Sequence, residues 1–107
     1  MAQTTDYIDA EISQADRPII LEFHDNECTP CITQERLLMH ASVHPSFPAH
    51  VIGVNVEEAP EIADRYAVST VPSIVLLREG KTVARFTGLA DAGSVISALE
   101  ADHPAGA

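Results

Sequence analysis

Apolar and polar positions along this chain change period several times, and each change marks an element. Ile8 and Ile12 stand at i, i+4 spacing behind Thr4 and Thr5, either of which can cap a helix. That spacing predicts a helix to about Ala15, with Pro18 closing the connection. Ile19-Ile20-Leu21-Glu22-Phe23 is then apolar except at Glu22, the pattern of a strand covered on both faces in a parallel sheet. Residues 24–27 read as a loop into a helix that starts near Cys28. Pro30 suits its first turn, where a missing N–H costs little. Ile32, Glu35, Leu38, Met39 and Val43 continue it at helical spacing until His44-Pro45-Ser46-Phe47-Pro48 breaks it.

Residues 51–56 form a second buried strand by the same criterion. Glu57-Glu58-Ala59-Pro60-Glu61 opens a short helix to about Tyr66, with acids at the end the helix dipole favours. Two β-rich runs, residues 73–78 and 82–87, flank Glu79-Gly80-Lys81 and predict a hairpin, which Gly88 ends. A last amphipathic helix over residues 91–101 repeats Val95, Ile96 and Leu99. A βαβ unit followed by ββα predicts a small α/β sandwich with a mixed four-stranded sheet. Right-handed crossover puts the N-terminus of the Cys28 helix at the end of the first strand, where open α/β sheets place their chemistry.

Length and charge narrow the options. The 107 residues predict one domain, with a core over about residues 7–101 and a loose tail over 102–107. Apolar runs such as Val51-Ile52-Gly53-Val54 fall far short of the ~20 residues a membrane helix needs, so no membrane partner is expected. The first residues lack the basic and apolar regions of a secretory signal, which makes the cytoplasm the expected compartment. Sixteen Asp and Glu face six Lys and Arg, for a net charge of −10, and the excess is spread along the chain. No basic stripe is available for phosphate, so nucleic acid is excluded as a partner.

The chain has two cysteines, in Cys28-Thr29-Pro30-Cys31. In a reducing compartment that spacing reads as a redox dithiol or as half of a metal site. Zinc needs four ligands and there is no second Cys-x-x-Cys, so no metal is expected. Leu21-Glu22-Phe23-His24 before this motif, Tyr66-Ala67-Val68-Ser69-Thr70-Val71-Pro72-Ser73 after it, and Arg78-Glu79-Gly80-Lys81 with Gly88 beyond, carry a wider pattern. Together these segments resemble the thioredoxin family over residues 7–101, with ungapped spacing from the dithiol to Asn55, Tyr66, Pro72, Gly80 and Gly88. The resemblance implies a thioredoxin-like three-layer sandwich that lacks the family's usual first strand. It also implies a thiol–disulfide oxidoreductase with no cofactor beyond a redox-active Cys28–Cys31 disulfide.

A helix N-terminus favours the thiolate, so Cys28 is the attacking residue and Cys31, one turn in, resolves the mixed disulfide. Pro30 stiffens the first turn. The Thr29 hydroxyl either donates to the Cys28 thiolate or faces solvent. The resemblance implies a cis Val71–Pro72 bond opposite the dithiol, where the Val71 backbone can pair with an extended substrate. Glu22 stands where the family commonly keeps a buried Asp; burial penalises the charged carboxylate, so it can take the proton of Cys31 through water. Gly53 stands where the family often has a lysine.

Two departures tune these expectations. Glu27 and His24 occupy positions where the family has Trp, and the chain has none. The Glu27 charge opposes the Cys28 thiolate and favours basic substrates; His24 either titrates and tunes the site or packs as a loop residue. The expected partners are protein disulfides and a thioredoxin-reductase-type donor, met by a monomer. The alternatives are glutaredoxin-like reduction of glutathione mixed disulfides and a thioredoxin-fold binding module without turnover.

Overall fold

The near-continuous apolar runs become the inner strands of a sheet buried from both sides. A computed structural model describes residues 4–101, so the expectation of a loose tail over 102–107 lies outside the described residues. The elements are α1 (Thr5–Gln14), β1 (Ile19–His24), α2 (Thr29–Ser42), β2 (His50–Asn55), α3 (Pro60–Arg65), β3 (Ser73–Arg78), β4 (Lys81–Thr87) and α4 (Ala92–Ala101). The strands form one four-stranded sheet in the order β2-β1-β3-β4. The β1–β2 pair is parallel, and β3 pairs antiparallel with both β1 and β4. The expected mixed four-stranded α/β sandwich is therefore the observed architecture.

Each strand of the centre serves two cores. Ile19, Leu21 and Phe23 of β1 join Ile52, Val54, Val75 and Leu77 beneath Ile8 of α1 and Ile62 of α3. Ile20 joins Ile74 and Leu76 beneath Leu38 of α2 and Val95 and Leu99 of α4. The strand period of two sends alternate side chains to opposite faces, which is why one apolar run fills both cores. Among the described residues no helix is long and apolar enough to cross a membrane.

The cap of α1 is one of the two residues expected to supply it, and α4 begins one residue later than expected. Thr4 caps α1 by accepting the Tyr7 amide at 3.2 Å. Asp91 precedes α4 and takes a hydrogen bond from the Ser94 hydroxyl at 2.6 Å. The hairpin turn is tighter than expected: Glu79 and Gly80 both have positive φ (53° and 80°), and Lys81 already pairs with Arg78. Two residues in that region give the mirror-image turn that matches strand twist, so Lys81 belongs to β4. The ladder also corrects two strand ends. His24 is the last residue of β1, not the first of a loop, because it pairs with Asn55; β2 spans His50–Asn55 and leaves Val56 outside.

The largest difference lies on α2. Its buried residues are Cys31, Gln34 and Leu38, whereas Ile32, Met39 and Val43 are 52%, 56% and 79% exposed. The sheet-facing stripe is thus set by Cys31 and Leu38, and a glutamine lies between them.

A candidate dithiol site at the end of the central strand

Cys28 occupies the N-cap of α2 with extended backbone, and its Sγ accepts the Cys31 amide at 3.1 Å. Pro30, in the first turn, needs no partner for an N–H it lacks. The Cys28 and Cys31 sulfurs are joined as a disulfide, with Cα atoms 5.2 Å apart. Cys28 is partly exposed, whereas Cys31 is buried with its Sγ 4.0 Å from the Phe23 carbonyl oxygen. Thr29 and Pro30 are exposed beside them. One sulfur faces solvent and the other faces the sheet.

The loop that delivers Cys28 is held by side chains the sequence reading assigned no role. Asn55, ending β2, donates from Nδ2 to Asn26 Oδ1 at 2.8 Å and accepts the Glu57 amide at 2.8 Å. Asn26 in turn donates to the Glu57 carboxylate from its backbone and its Nδ2, at 3.3 and 3.2 Å. The Asp25 carboxylate accepts the Glu27 amide at 3.0 Å. Such side-chain-to-backbone bonds are how Asn and Asp hold turns. The local signal was the Asp25-Asn26 pair itself, but the partners of Asn26 lie at the end of β2 and just beyond it.

Glu22 is 1% exposed on β1, an inner strand, and faces α2 with Ile20. Its Oε1 lies 3.2 Å from His24 Nδ1, and its Oε2, also buried, has no hydrogen-bond partner. Gly53 pairs with Glu22 across the parallel ladder. A Cβ at Gly53 would lie 3.4 Å from the His24 ring and 3.7 Å from Glu22 Oε1, in ordinary contact with both, so position 53 borders this pair. The hydrogen bond to Glu22 raises the His24 pKa above the ordinary imidazole value. Burial works against this, and the charges of Glu22 and Glu35 reinforce it.

His24 then lines a cavity of about 240 Å³ with Asp25, Glu27, Cys28, Ile32 and Glu35. Glu27 is exposed there, and no Lys or Arg is among the lining residues. The sulfur that faces solvent therefore opens onto a cavity with three carboxylates and one imidazole.

The Val71–Pro72 peptide is cis. β1 and β3 pair Phe23 with Ser73, so Pro72 extends that register to the level of His24, at the same end of the sheet as Cys31. The Pro72 carbonyl accepts the Gly88 amide at 2.9 Å. Val71 packs against the α1–α3 core. The sequence reading missed Gln34, which is fully buried and bonded to both backbone groups of Ala90. Among the described residues no three His, Cys, Asp or Glu side chains converge as a metal site requires.

Known proteins are similar to this chain in sequence and fold. The thioredoxin family profile matches residues 1–101. The chain is 33% identical over 79 residues to a thioredoxin of Chlamydia caviae, covering 73% of this chain and 76% of that one. It is 26% identical over 98 residues to the chloroplastic thioredoxin Y of Oryza sativa, covering 92% of this chain and 58% of the relative. The chain thus spans less than two thirds of the length of its chloroplastic plant relatives. A mutant thioredoxin from Halobacterium salinarum superposes with a TM-score of 0.80 at 26% identity, over 94% of this chain and 86% of that one.

Proposed function

The chain belongs to the thioredoxin family, and from that premise we propose that it is a thiol–disulfide oxidoreductase that reduces protein disulfides through Cys28 and Cys31. One observation carries the reading: Cys28 Sγ is partly exposed at a helix N-terminus with the Cys31 amide aimed at it, while Cys31 is buried behind it. An amide and a helix dipole pointing at sulfur favour the thiolate, which is the nucleophile.

In the reduced protein the Cys28 thiolate attacks one sulfur of a substrate disulfide. That S–S bond breaks, one substrate thiolate leaves and takes a proton, and a mixed disulfide forms. Cys31 then gives its proton to Glu22 through water and attacks Cys28 Sγ. The second substrate thiolate leaves and is protonated, and the Cys28–Cys31 disulfide has formed. Two electrons have passed to the substrate, and a dithiol donor of the thioredoxin-reductase type returns them.

The surrounding groups have graded roles. Burial beneath α2 supports Glu22 as the proton acceptor, and His24 holds its Oε1 through their hydrogen bond. Val71 and Pro72 offer backbone to an extended substrate, with Thr29 and Pro30 bordering it. Asp25, Glu27 and Glu35 around Cys28 favour clients with basic residues beside the disulfide and disfavour the carboxylates of glutathione. We place this work in a reducing compartment such as the cytoplasm, carried out by a monomer.

Trapping tests the assignment of roles. Incubated with insulin after reduction, a Cys31→Ser variant should accumulate a mixed disulfide that maps to Cys28, while Cys28→Ser should form none. Trapping through neither variant would end this reading.

A further inference from the structure

Gln34 is an amide in a place where α2 otherwise buries Cys31 and Leu38. It is fully buried, and a buried primary amide is costly unless its donor and acceptor are both used. Both are. Nε2 donates to the Ala90 carbonyl at 2.9 Å, and Oε1 accepts the Ala90 amide at 2.8 Å, a two-point grip on one residue of another segment.

The gripped segment is tied again two residues earlier. Gly88, with φ of 86°, donates its amide to the Pro72 carbonyl at 2.9 Å. Leu89, between these anchors, is 55% exposed although apolar. A continuous chain of hydrogen bonds and peptide bonds therefore runs from α2 through Gln34, Ala90 and Gly88 to Pro72. Gln34 lies three residues after Cys31 on the same buried stripe. The element bearing the dithiol and the element bearing Pro72 are joined through this side chain.

We infer that Gln34 is a positioning residue that fixes the spacing between the dithiol helix and the Pro72 segment, and thereby the fit of a protein substrate between them. The inference rests on the reading of the site as a protein-disulfide reductase. Both polar groups of Gln34 are spent on Ala90, so its effect falls on the fit of the substrate rather than on the chemical step at Cys28. What it supplies is preorganisation: segment 88–90 is already in place when an extended substrate arrives.

Two variants test it. Gln34→Met keeps the length and apolar bulk but removes both bonds. Gln34→Glu restores one donor and one acceptor when its carboxyl is protonated and loses the donor when it ionises. Steady-state reduction of insulin and of a small aromatic disulfide is measured with dithiothreitol as donor. For Gln34→Met, KM for insulin should rise by about five-fold with kcat little changed, because lost preorganisation weakens binding alone. The small disulfide, which spans no groove, should react at the wild-type rate. For Gln34→Glu, KM relative to wild type at the same pH should fall towards one as the pH is lowered. A purely structural glutamine would lower the unfolding midpoint of both variants and leave KM for insulin unchanged; that result overturns the inference. Wild-type protein inactive on both disulfides would instead overturn the parent reading, and this one with it. Should Gln34→Met fail to fold, the pH-dependent KM ratio of Gln34→Glu decides alone, and a flat ratio counts against the inference.

Discussion

The two faces of β1 differ in kind. Towards α1 and α3 it presents Ile19, Leu21 and Phe23 to a core cluster of apolar side chains. Towards α2 it presents Ile20, then Glu22, then His24, passing from core to buried carboxylate to a cavity wall within one strand. The α2 side also holds Gln34, buried and bonded across to Ala90. One face is filled by the hydrophobic effect, which is non-directional and tolerant of rearrangement. The other contains polar groups that must meet specific partners, and a buried polar network that loses a partner is penalised. Both faces carry an apolar core, and only the second adds the buried polar groups beside the dithiol.

Substitution on each face should separate these properties. Leu21→Ala empties a fully buried site on the apolar side, and the cost should be about 2–5 kcal/mol of unfolding free energy. Urea denaturation measures that loss, and the rate of disulfide reduction per folded molecule should stay at the wild-type value. A large drop in that rate would mean the two faces are not separable. On the other side, Glu22→Gln keeps the shape but removes the proposed proton acceptor. Resolution of the mixed disulfide should slow by about a hundred-fold, the lower range for a lost general base. Single-turnover release of the second substrate thiol reads this step directly, and unchanged release would remove Glu22 from the mechanism.

The smallest effect sharpens the comparison through pH. The folded His24 pKa lies above its unfolded value because of its hydrogen bond to Glu22. The folded protein therefore holds the proton more tightly, and the pair stabilises it fully below the unfolded imidazole value. That contribution fades as pH rises through the folded His24 value. The ring is partly exposed, so the difference between mildly acidic and alkaline solution should be under about 1 kcal/mol. His24→Gln should flatten this component of the urea midpoint against pH, whereas Leu21→Ala should leave its shape intact. An identical slope in wild type and His24→Gln would mean the pair contributes nothing.

Much of this was legible locally. Thr4 before an i, i+4 apolar pair, Pro30 in a first turn and Glu79-Gly80 between β-rich runs each produced an element within a residue or two of expectation. The dithiol stood out because no other cysteines compete with it. Two things were not legible. On α2, Ile32, Met39 and Val43 form an apolar series that stays exposed, while Gln34 is buried. Helical period limits which residues share a stripe but not which stripe meets the sheet, and here the Ala90 backbone offers Gln34 its partners. Likewise His24 reads as a loop residue until its ladder pairing with Asn55 is known.

By itself, the sequence determined the alternation of strands and helices, the caps and turns, and two thiols at the start of a helix. Those features depend on residues within a turn or two of each other, and short-range sterics and hydrogen bonding settle them. Only the tertiary structure decided that Gly53 lies opposite Glu22, beside the Glu22–His24 hydrogen bond, and that Gln34 grips a residue 56 positions away. Such meetings are set by strand register and by the rotation of a helix against the sheet. Both are minimised over the whole core, so no local window of sequence contains them.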